Sequence, residues 1–152
     1  MTLDTLIQWL ETLRTYPVIS VGEISLPQMN EYLSKRSIEV PLDLLDSIYY
    51  AAPEDDVNSI IKYLQTPVKY YSPDKTDCDY FAIKAFWRAQ ELFGLNTVGF
   101  AIGPTNKGYH AFNCVVLPFG TIRYFEPQKA PGVKGILLPL GVEGYQIDKV
   151  LI

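Results

Sequence analysis

The 152-residue chain is poor in the side chains that most often carry chemistry: it has two cysteines, Cys78 and Cys114, and one histidine, His110. Two cysteines in a chain of this length make no disulfide framework, so a reducing, cytoplasmic setting is the default expectation. No CxxC spacing occurs, and Cys114 lies in the apolar run FNCVVL and reads as core, which argues against a zinc site. There is no dense basic run. The formal net charge is −4 and the pI is near 4.9, so no nucleic-acid partner is expected. No apolar stretch approaches the roughly 20 residues that span a bilayer, so no membrane partner is expected either. The opening MTLDTLIQWLETLR has acids inside its apolar pattern and no basic start, unlike a secretory signal. GPTNKG, 103–108, lacks the spacing of a phosphate-binding loop.

What is present is an ordinary globular composition, 48% hydrophobic and 20% charged, on a length that fits one domain over residues 1–152. Residues 1–70 read mainly helical. Leu3, Leu6, Leu10 and Leu13 recur at helical spacing until Pro17 ends the pattern. LPQMNEYLSK, 26–35, and PLDLLDSIYY, 41–50, read as short helices with proline in the first turn. In 52–65, Glu54, Asp55 and Asp56 suit a helix N-terminus, and Val57, Ile60, Ile61 and Leu64 form its apolar face. Residues 71–152 read as a helix followed by a β-meander. Phe81, Ala82, Ala85, Phe86, Ala89, Leu92 and Phe93 share one helical face, with Gly94 placed for a left-handed cap. NTVGFAIG, YHAFNCVVLP and TIRYFEP are strand candidates, with ILLPL and YQIDKVLI as edge strands. The expected class is α+β, with the helices on one side of an antiparallel sheet.

Three candidate site residues fall at element ends: Cys78 at a helix start, His110 at a strand start and Glu126 at the end of the next strand. A cysteine attacks as thiolate, and a thiol of pKa about 8.5 is mostly protonated at neutral pH. A helix N-terminus and a neighbouring imidazole both favour the thiolate, and a third group fixes the ring. Alternation puts His110, Phe112 and Cys114 on one strand face, and Ile122, Tyr124 and Glu126 on one face of the next. Sequence alone leaves open whether the two faces coincide.

The words DCDYFA, GYHAFN and YFEPQ, in this order, resemble the papain-like cysteine protease domain at the C-terminus of certain fungal chimerolectins. More distantly they resemble transglutaminase-like cysteine enzymes. The motif part runs from Asp77 to Gln128. The resemblance implies a papain-like fold, a Cys78–His110–Glu126 triad, and hydrolysis of an amide bond in a peptide or protein substrate through a thioester. Tyr71, Asn113 and Gln128 are candidate substrate contacts, although Asn113 and Gln128 can equally bond locally. No cofactor is required. The family's calcium dependence implies a metal ligand at Asp79, but Tyr80 stands where the family has a second aspartate. Some 70 mainly helical residues stand where the family has its lectin module, so sugar binding is not implied. The alternative reading is a non-catalytic binding or assembly module on the same scaffold.

Overall fold

The computed structural model describes residues 16–41, 46–70, 72–73 and 77–152. The helix expected over residues 3–13 lies outside them, as does Tyr71. Described in chain order are β1 (Gly22–Ser25), α1 (Leu26–Ser34), β2 (Ile48–Ala51), α2 (Glu54–Leu64), β3 (Thr66–Pro67) and α3 (Cys78–Phe93). Then follow β4 (Val98–Thr105), β5 (Gly108–Val116), β6 (Ile122–Phe125), β7 (Gln128–Lys129), β8 (Leu138–Pro139) and β9 (Lys149–Leu151).

Local chemistry accounts for the helices. The Ser25 amide donates to Gln28 Oε1 at 2.9 Å and Pro27 sits in the first turn, which starts α1. Three acids open α2, and Val57, Ile60, Ile61 and Leu64 are fully buried, each contributing about 1.5–3 kcal/mol on the area scale. α3 buries Phe81, Ala82, Ala85 and Ala89 and stops at Gly94, whose φ of 65° is the left-handed cap.

Strands β8-β6-β5-β4-β9 form one antiparallel sheet. Residues 111–116 of β5 are all buried, so both faces of the central strand are covered. One face carries Val98, Val115 and Phe125 and packs against α2 and α3. The other carries Phe112, Cys114 and Tyr124 and packs against Met29 and Leu33 of α1 and against the paired strands β1 and β2.

This corrects the expected class. The described chain is mostly β, with three helices and a five-stranded antiparallel sheet, and its helices lie on both faces rather than one. It is not the papain-like architecture that the motif words implied. The 41–50 segment is also corrected: Ile48–Ala51 is a strand paired with β1, with Tyr49 and Ala51 buried and Ile48 and Tyr50 exposed. That two-residue alternation decides against a helix there.

Candidate functional site

The β5–β6 register answers the question left open by alternation. Cys114 lies opposite Tyr124 and Asn113 opposite Phe125, so His110 and Glu126 project from the same face. Across it, His110 Nε2–H donates to Glu126 Oε2 at 2.9 Å, with the two side chains 22% and 14% exposed. The Tyr145 hydroxyl donates to the same oxygen at 2.8 Å. The second oxygen, Oε1, is buried and has no hydrogen-bond partner among the described residues.

The surrounding framework holds this carboxylate in place. Gln65 Nε2 donates to the Glu126 carbonyl at 2.9 Å, the Thr66 amide to the Pro127 carbonyl at 2.9 Å, and β3 pairs in parallel with β7 just beyond. Tyr145 stacks on Tyr124 with ring centroids 4.1 Å apart and meets Phe112 edge-on at 4.9 Å. Burial first, and the Glu126 charge and hydrogen bond next, push the Tyr145 phenol well above the usual tyrosine range. It therefore remains a hydroxyl donor throughout the neutral range. Burial likewise pushes Tyr124 up to about 12.

These groups open into a cavity of about 390 Å³, whose lining includes Tyr109, His110, Glu126, Gln128, Lys134 and Tyr145. Its size and its few convergent polar groups suit a small ligand. Tyr109 is 63% exposed and offers an aromatic face at the rim.

The remaining expected site residues are placed differently. Cys78 is the first residue of α3, after Asp77 as N-cap, and is partly exposed. α3 lies against the Asn113–Val115 face, opposite the one bearing His110 and Glu126. Cys78 does not line this cavity, and no hydrogen bond joins Cys78 to His110 among the described residues. Asn113 is fully buried, with Nδ2 donating to the Ala82 and Gly99 carbonyls at 2.9 and 3.1 Å, so it ties α3 to β4 rather than facing a ligand. Gln128 does line the cavity. Asp79 is exposed and accepts from the Tyr80 amide at 2.8 Å, and among the described residues no group of three His, Cys, Asp or Glu is arranged to hold a metal ion. Sequence reasoning missed Tyr145. It sits in a loop sequence, GYQ, with no motif around it, and only the 20 or so residues of fold between it and Glu126 bring them together.

No family model matches the chain, and no curated protein matches it. Solved structures do. The fold resembles that of PSL1a, a Polyporus squamosus lectin, in complex with E64, at 19% identity over 86% of this chain, with a TM-score of 0.67. It also resembles Polyporus squamosus lectin bound to the epitope Neu5Aca2-6Galb1-4GlcNAc, at 21% identity over 71% of this chain, with a TM-score of 0.55. The chain spans about half the length of these solved chains, 51% and 44%.

These neighbours are lectins, and they overturn the protease family inferred from the three motif words. They give no support to the hydrolase and thiol-protease character or to the expected peptide or protein substrate, and at 19% and 21% identity what they share with this chain is the fold. The physical reason lies in the sheet: the words around Cys78 and His110 are close in sequence pattern, but the helix and the His–Glu pair belong to opposite faces.

Proposed function

We propose that this chain is a non-catalytic binding module whose site is the cavity beside Glu126, taking a hydroxyl-rich ligand of the saccharide class. One observation carries this reading. Glu126 lines the cavity, and its buried Oε1 has no hydrogen-bond donor among the described residues; a buried acceptor left unpaired costs about 1–3 kcal/mol. A sugar hydroxyl supplies the missing donor and can accept from neighbouring donors such as Lys134 and Gln128. The exposed Tyr109 ring offers an apolar body to the C–H face of a sugar ring. The lectin neighbours support this class over a peptide.

The chain has one imidazole, so its ring protons report on the cavity without ambiguity. Titration with galactose, N-acetylglucosamine and the trisaccharide Neu5Aca2-6Galb1-4GlcNAc should shift the His110 ring resonances saturably for at least one of them. Ring signals that stay fixed up to millimolar concentrations of all three overturn the reading.

A further inference from the structure

The Glu126 carboxylate is occupied asymmetrically. His110 Nε2–H and the Tyr145 hydroxyl both donate to Oε2, at 2.9 and 2.8 Å, which fills that oxygen's two lone pairs. Among the described residues nothing donates to buried Oε1. We infer that Tyr145 is the positioning residue of this site: its hydroxyl and the His110 ring clamp Glu126 through one oxygen, and this fixes the carboxylate and the imidazole where they line the cavity. The expected effect on a ligand rests on the binding reading above; the clamp itself rests on the geometry.

Tyr145 is built to hold a fixed position. Its ring is fixed between Tyr124 and Phe112, and it meets His110 edge-on at 6.2 Å. Its backbone closes a tight loop. The Gly141 amide donates to the Tyr145 carbonyl at 2.8 Å, and the Tyr145 amide donates to Val142 at 3.2 Å. The Tyr124 hydroxyl donates to the Val142 carbonyl at 3.0 Å, and the next residue, Gln146, bonds the Pro104 carbonyl of β4 at 3.1 Å. Gly141 and Gly144 supply φ of 95° and 75°, and a Cβ on Gly144 would meet Asn106 Oδ1 at 2.2 Å. The loop is therefore fastened to β4, to β6 and to the β4–β5 hairpin. A side chain held in this way can set the rotamer of the carboxylate to which its hydroxyl donates.

The test is the Nε2–H proton of His110 by NMR, in the unmodified protein and in Tyr145→Phe, which keeps the ring packing and deletes one hydroxyl. The unmodified protein should show this proton as a downfield, slowly exchanging line, with a nuclear Overhauser contact to the Tyr145 ring. In Tyr145→Phe the line should broaden into exchange with water, and Neu5Aca2-6Galb1-4GlcNAc affinity should fall at least fivefold. An unchanged line in Tyr145→Phe overturns the clamp, whatever the saccharides do. If the variant does not fold, the unmodified protein still decides: an Nε2–H already in fast exchange, with no contact to Tyr145, overturns the clamp. A line lost in Tyr145→Phe while the unmodified protein binds no saccharide supports the clamp and overturns the binding reading alone.

Discussion

Glu126→Gln isolates what the carboxylate does. The side chain is nearly isosteric, and its one carbonyl oxygen can take the Oε2 position and keep both protein donors, His110 and Tyr145. The amide NH₂ then occupies the Oε1 position, which has no partner among the described residues. The fold should notice little. Two charge-assisted bonds become neutral ones, a loss of about 1 kcal/mol, and this is offset by no longer burying an ionised group. Urea denaturation should place the variant within about 1 kcal/mol of the native protein, with an unchanged m-value. Binding should change far more, because an acceptor becomes a donor at the point where a ligand hydroxyl must be received. Losing a hydrogen bond to a charged group costs about 1.5–3 kcal/mol, or about a tenfold to 150-fold rise in Kd. Calorimetric titration with whichever saccharide moves the His110 signals measures this directly. A variant that binds as tightly as the native protein refutes the role given to Oε1. One that unfolds refutes the claim that the carboxylate serves a ligand rather than the fold.

Other outcomes follow from the packing. Gly103→Ala should destabilise the protein by more than 2 kcal/mol in urea melts, because the added Cβ lies 1.9 Å from the Gln146 carbonyl oxygen and must push apart β4 and the strap that carries Tyr145; a change below 1 kcal/mol would count against that seating. Asn113→Asp should cost about 3–5 kcal/mol, since a buried carboxylate would face the Ala82 and Gly99 carbonyls that now accept from Nδ2, and a native-like melting temperature would show that this link is not needed. Stability should fall as pH rises from about 9 toward 12. Burial pushes Cys114 from 9.0 to about 12 and Tyr124 from 10.0 to about 12, so the folded state keeps protons that the unfolded chain gives up. The contribution is complete below pH 9 and is lost through that window at up to about 1.4 kcal/mol per pH unit for each group. Denaturation midpoints that stay flat between pH 8.5 and 10.5 would contradict it.

The sequence by itself determined those features set by neighbours along the chain. The acids before Val57 and the spacing Val57, Ile60, Ile61, Leu64 specify α2, and Gly94 ends α3 because the left-handed cap costs glycine least. The alternation around Cys114 marked a strand and placed His110 and Glu126 at matching ends, and the hairpin register brought them to 2.9 Å. Local pattern failed where two elements had to choose each other. Ile48–Ala51 followed a proline and read as helix, yet pairing with β1 and burial of Tyr49 made it a strand. Which face of the sheet each helix covers is a property of packing, since residues 111–116 are buried on both sides. That choice set α3, and Cys78 with it, against the face opposite the His–Glu pair. It also brought in Tyr145, which shares no motif with Glu126 but shares its oxygen. Periodicity records which residues seek burial; only the assembled layers decide which partners bury them.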